Sequence, residues 1–147
     1  MKITSSTARP IVLVEDLDSD YETLARGFQR IGVTSPLKRF TRVEDASSYL
    51  QDEADFDEKE EIPGLIILDL KLEDGDAREL LMKIKGNHHL KAVPIAVWSA
   101  LEDPQIKADC YKRGVTNYIR KLGDRASIEE TLQLFKKLLD TPHYPPL

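Results

Sequence analysis

The stretch Leu65-Ile66-Ile67-Leu68-Asp69-Leu70-Lys71-Leu72-Glu73-Asp74-Gly75-Asp76 decides the fold. Four consecutive aliphatic residues without polar alternation fit a strand buried on both faces, as in the middle of a parallel sheet, and the run ends on a carboxylate. Asp69 is therefore expected where a strand leaves the core. Glu73, Asp74 and Gly75 read as a loop, and Asp76 as the N-cap of a helix with Glu79 three residues on as its capping-box partner. In open α/β sheets ligands bind at the carboxyl ends of strands. Asp69 thus stands where chemistry is expected.

Toward the N-terminus, Ile11-Val12-Leu13-Val14 is a second aliphatic run of the same kind, ending at Glu15 and Asp16. Leu17, Tyr21, Leu24, Phe28 and Ile31 then recur at helical spacing and are closed by Gly32 as a C-cap. Leu37 to Phe40 reads as an edge strand. Thr41 with Glu44 marks a helix that turns Val43, Ala46 and Leu50 inward. Gln51 to Glu61 is strongly acidic and reads as a solvated loop.

Toward the C-terminus, Leu80, Leu81 and Ile84 form the inner face of the helix that begins at Asp76 and stops near Gly86. His88 and His89 follow without a cysteine or glutamate at ligand spacing, so they are expected as exposed loop residues. Ile95-Ala96-Val97-Trp98 is a strand delivering Ser99 at its end. Asp103 and Pro104 are the N-cap and first-turn proline of a helix ending at Gly114. Asn117 to Arg120 forms a last strand and presents Lys121. Ser127 with Glu130 caps a final helix carrying Ile128, Leu132, Phe135 and Leu139 inward. Trp98 and Tyr118 read as core aromatics, and Cys110 as a half-buried small hydrophobe.

Strand and helix alternate five times, which predicts an α/β fold: a doubly wound five-stranded parallel sheet, strand order 2-1-3-4-5, with helices on both faces. A length of 147 residues with 41% hydrophobic content suits one core. The expected organisation is a flexible N-terminus over 1–9, one domain over 10–140 and a proline-containing tail over 141–147. A net charge of -5 argues against nucleic-acid or anionic-membrane partners. No apolar stretch has the length of a membrane span, and residues 1–10 lack a signal-peptide core. One cysteine makes no intrachain disulfide; a cytoplasmic location is expected.

A parallel sheet brings Glu15, Asp16, Asp69, Ser99 and Lys121 to one edge. Three crowded carboxylates repel one another unless a cation is present, and Mg²⁺ suits an all-oxygen set that leaves positions for water and phosphate. Lys121 offers a point charge, and Ser99 a hydroxyl donor, to a phosphoryl oxygen. Asp69 would be the nucleophile that forms an acyl phosphate. Taken singly, these residues read as a surface lysine, a turn former and helix-terminal acids.

From Pro10 to Asp140 these residues resemble the receiver domain of two-component response regulators. The resemblance implies the metal-binding acids in Glu15 and Asp16, the phosphoacceptor in Asp69, and the active-site hydroxyl and lysine in Ser99 and Lys121. It further implies a switch made by Ser99 with Tyr118, and the Lys71 main-chain carbonyl as a further metal ligand. Leu122 after Lys121 and Glu73 depart from prolines usual in the family, and the gap from Asp16 to Asp69 is long. These features are similar to stand-alone receivers paired with phytochrome-type sensor kinases. The implied function is a single-domain response regulator, not an ordinary enzyme. It takes a phosphoryl group from a sensor histidine kinase with Mg²⁺ and acts through a downstream protein or a homodimer. A pseudo-receiver scaffold that works without phosphorylation is the alternative. A haloacid-dehalogenase-type hydrolase would need an acid where Lys71 stands, and a flavodoxin-like cofactor binder would need a phosphate cradle where Glu15, Asp16, Asp18 and Asp20 stand.

Overall fold

The computed structural model describes residues 8–51, 56 and 61–141. Strand β1 (Ile11–Val14) leads to α1 (Asp18–Arg30), β2 (Leu37–Phe40), α2 (Val43–Gln51) and β3 (Leu65–Leu68). A short antiparallel hairpin, β4 (Lys71–Leu72) with β5 (Gly75–Asp76), precedes α3 (Glu79–Gly86). Then come β6 (Ile95–Ser99), α4 (Pro104–Lys112), β7 (Asn117–Arg120) and α5 (Arg125–Asp140). The main sheet has the order β2-β1-β3-β6-β7, with every pairing parallel. Counting only its own strands, that is the expected 2-1-3-4-5.

The unalternated aliphatic runs are explained by two cores, one on each face. Ile11, Leu13, Leu65 and Ile67 point with Ala96 and Trp98 toward Leu24 and Phe28 of α1 and Leu132 and Phe135 of α5. Val12, Val14, Ile66, Leu68, Ile95 and Val97 point the other way, toward Leu50 of α2, Leu80 and Ile84 of α3 and Cys110 of α4. Period-two side-chain geometry sends neighbours to opposite faces, so a strand buried on both faces needs apolar residues at every position. At Gly27 of α1 an added Cβ would stand 2.4 Å from Leu132 Cδ1 of α5; glycine permits this close approach.

Several helix starts differ from the sequence reading. The helix expected from Asp76 begins at Glu79, because Gly75 and Asp76 are taken up by the hairpin. Asp76 instead accepts from the Arg78 main-chain N–H at 2.8 Å and from its guanidinium. At α2 the Thr41–Glu44 box does not form; the Asp74 carboxylate reaches across from the hairpin and takes the N–H groups of Val43 and Glu44 at 2.8 and 3.0 Å. α5 is capped by Asp124, which accepts from the Ser127 N–H, rather than by Ser127. The Asp103–Pro104 start of α4 forms as expected.

Among side chains, Leu17 is exposed rather than inward, lying one residue before α1, and Cys110 is fully buried rather than half-buried. His88 is exposed and His89 half-buried. Of the acidic stretch, Phe56 is described, and it is fully buried with its ring edge-on to Tyr49. The expectations for residues 1–7, for the rest of that stretch and for the tail after Thr141 fall outside the described residues. Among the described residues, no helix is long and apolar enough to cross a membrane.

Candidate functional site

Glu15, Asp69, Ser99 and Lys121 are fixed by the backbone ladder at the edge of the sheet. The Glu15 N–H donates to Phe40 O at 2.9 Å, Asp69 N–H to Val14 O at 2.9 Å, and Lys121 N–H to Ser99 O at 2.8 Å. Parallel pairing thus extends one residue past three strand ends and locks the positions from which the side chains project. Arg39 braces the same edge. Its Nε donates to the Glu15 main-chain oxygen at 3.0 Å, and its guanidinium meets Asp18 at 2.8 Å and lies over the Tyr21 ring.

Glu15, Asp16 and Asp69 each bring a carboxylate oxygen within 4.8 Å of the other two. Glu15 is fully buried, and Asp69 retains 7% exposure, which leaves its carboxylate reachable from the edge. The Lys121 ammonium sits among acids, 2.7 Å from Asp20, 2.8 Å from Glu15 and 3.0 Å from Asp69. It also lies 4.9 Å from the centre of the Trp98 ring. Burial pushes the Glu15 carboxyl up to about 7; the nearby Asp69 charge pushes the same way, and Lys121 pulls against both. Burial works against the Lys121 ammonium, but its bonds to Asp20, Glu15 and Asp69 outweigh this and hold it above its ordinary value.

The donor set is all oxygen, and the buried Glu15 Oε1 meets the Lys121 ammonium as an ion pair at 2.8 Å without hydrogen-bond geometry. Such a set fits a hard divalent cation, which would relieve the repulsion between the acids. Lys71, the fourth expected ligand through its carbonyl, opens β4 two residues after Asp69 with its side chain exposed.

Ser99 is buried, and its Oγ accepts from the Leu101 N–H at 3.2 Å. Tyr118 is half-buried, packs against the core, and donates its hydroxyl to the Leu101 carbonyl at 2.8 Å. Burial raises the Tyr118 phenol above its ordinary value, with the Ser99 hydroxyl opposing. One loop backbone is therefore held from both sides by Ser99 and Tyr118. The Lys121–Leu122 peptide is trans and Leu122 is exposed, so the lysine reaches the acids without a proline after it.

The sequence reading brought together Glu15, Asp16, Asp69, Ser99 and Lys121, and the structure gathers all five at this edge. It missed Asp20 as a partner of Lys121 and Trp98 as the ring beside the ammonium. Asp20 lies in the first turn of α1, just after the Glu15–Asp16 pair, and its place in that run of acids could have revealed it.

The response regulator receiver domain model matches residues 11–133. The chain belongs to that family. It is 29% identical over 121 residues to the response regulator Rcp1 of Synechocystis sp., covering 82% of each chain. It is 26% identical over 127 residues to a probable methanogenesis regulatory protein, FilR2, of Methanothrix harundinacea, covering 86% of this chain and 81% of that one. The crystal structure of the phosphorylated cyanobacterial phytochrome response regulator RcpA superposes with a TM-score of 0.78 at 26% identity, over 94% of this chain and 99% of that one. The Mn²⁺-bound form of Rcp1 gives 0.77 at 26% identity, with the same coverage. The receiver family comprises signalling domains, and this chain has the family's fold and its acidic edge.

Proposed function

We propose that this chain is a response regulator whose Asp69 accepts a phosphoryl group from the phosphohistidine of a sensor kinase. The observation that carries the reading is the Asp69 carboxylate at a strand end, 3.0 Å from the Lys121 ammonium and grouped with the Glu15 and Asp16 oxygens. An Asp69 oxygen attacks phosphorus, the bond from phosphorus to the kinase imidazole breaks, and an acyl phosphate forms. Lys121 and the Ser99 hydroxyl bind oxygens of the incoming group. Glu15, Asp16, Asp69 and the Lys71 carbonyl would hold Mg²⁺, which when bound offsets charge on the transferring phosphoryl group. Rcp1 in its Mn²⁺-bound form supports a divalent cation here.

Ser99 and Tyr118 form the switch. A phosphoryl group on Asp69 draws Ser99 and Lys121 toward it, and the loop through Leu101, hydrogen-bonded to Ser99 and Tyr118, shifts with them. That alters the surface made by α4, β7 and α5, which meets a downstream protein or a second copy of the chain in the cytoplasm. The likeness to Rcp1 and RcpA supports a phytochrome-type kinase as the donor. The chain assists its own phosphorylation and dephosphorylation without turning over another substrate. A complete set of acids, hydroxyl and lysine argues against a scaffold that never takes phosphate.

Beryllofluoride, a stable mimic of an aspartyl phosphoryl group, tests the site. With Mg²⁺ it should raise the melting temperature of the wild-type chain and leave that of Asp69→Asn unchanged. An equal rise in both proteins, or none in the wild type, would contradict the assignment.

A further inference from the structure

The Lys121 ammonium has three N–H bonds and three carboxylates around it, and the shortest contact is to Asp20, at 2.7 Å. Its other partners, Glu15 and Asp69, belong to the trio of acids that would share a divalent cation. Ammonium and cation therefore draw on the same two carboxylates, and two cations on one carboxylate pair repel each other. Asp20 stands outside that trio. It projects from the first turn of α1 with its side chain 26% exposed, while the Lys121 side chain keeps 12%. An ammonium this far removed from water cannot give up its carboxylates without another charged acceptor.

We propose that Asp20 is a positioning residue, the berth on which Lys121 stays when a divalent cation takes the Glu15 and Asp69 oxygens. This rests on the reading that the acidic trio binds such a cation. Asp20 lets Lys121 release Glu15 while remaining beside Asp69, ready for a phosphoryl oxygen. Without Asp20, Lys121 stays committed to Glu15 and Asp69 and competes with the cation for them.

The sign of this coupling separates it from simple attraction of a cation by one more negative charge. The full chain is titrated with Mg²⁺ in the absence of any phosphodonor, following the fluorescence of its single tryptophan, Trp98, which lies 4.9 Å from the ammonium. Calorimetry is run in parallel. Asp20→Asn should weaken Mg²⁺ binding by roughly tenfold in the wild-type background and by less than about twofold in a Lys121→Met background. Asp20→Glu should restore most of the loss. Equal weakening in both backgrounds, or none in the wild type, overturns the proposal.

Should Lys121→Met fail to fold, the ¹⁵Nζ resonance of Lys121 gives the same answer. In Mg²⁺-saturated wild type its ammonium protons should exchange slowly and in Asp20→Asn quickly; equal exchange overturns the berth. A chain that binds no Mg²⁺ at all would overturn this proposal and the cation assignment together. It would leave the Asp69 phosphoacceptor assignment to be decided separately by protein mass.

Discussion

Glu15 is the residue at which the site's electrostatics become measurable. Its carboxyl is pushed up to about 7 by burial and by Asp69, from an ordinary value of 4.5. Between these two values the folded chain holds a proton that the unfolded chain has released, so the contribution of this group to stability falls as pH rises from about 4.5 to about 7, then levels off. Denaturant unfolding without divalent cation should show a steeper loss between pH 5 and pH 8 in wild type than in Glu15→Gln. Saturating Mg²⁺ should flatten the wild-type curve, since it favours the ionised acids. Parallel curves for the two proteins would show that Glu15 does not carry the shift. The identity of this acid was legible from its place after an aliphatic run. Its raised proton affinity was not, because burial of the carboxylate depends on elements distant in sequence.

At the scale of elements, the β4–β5 hairpin ties the loop after Asp69 to its neighbours. Asp74 caps α2, and two main-chain N–H bonds hold its carboxyl below the usual range. Arg78 links Asp76 to Asp109 of α4 at 3.0 Å. Asp74→Ala should lower the melting temperature at neutral pH, and Asp74→Asn should lower it less, since an amide oxygen can still accept one bond. The difference from wild type should fade as pH falls below about 3.8, where the depressed carboxyl gains its proton in the folded chain too. A penalty independent of pH would argue that Asp74 acts by packing alone. Sequence alone recovered the Asp103 cap because it is local, with its proline adjacent. It misassigned the starts of α2, α3 and α5 because S/T/D-x-x-E patterns occur by chance, while the acceptor actually used at α2 lies 31 residues away.

Across the whole molecule, the site depends on a sheet buried on both faces. Phe135 of α5 is fully buried, with its ring centre 6.2 Å from Phe28 of α1 and 6.5 Å from Trp98 of β6. Phe135→Ala should cost about 3–5 kcal/mol by equilibrium denaturation. It should also alter Trp98 fluorescence, and a loss below about 1 kcal/mol would mean that this core re-forms around the cavity. The fold was legible because unalternated aliphatic runs and amphipathic helical stretches alternate along the chain, and parallel topology then carries the ends of those runs to one edge. The hairpin was not legible: Lys71, Leu72, Gly75 and Asp76 form strands of two residues each, too short for a periodic signal. Nor was the burial of Phe56, a lone apolar anchor among acids.

The most direct measurement is the intact mass of the wild-type chain and of Asp69→Asn after incubation with acetyl phosphate and Mg²⁺. A single phosphoryl adduct on wild type, absent from Asp69→Asn and lost from wild type when Mg²⁺ is chelated beforehand, is the predicted result. An adduct of equal yield on Asp69→Asn, or no adduct on wild type from acetyl phosphate or from a phosphorylated histidine kinase, would contradict it.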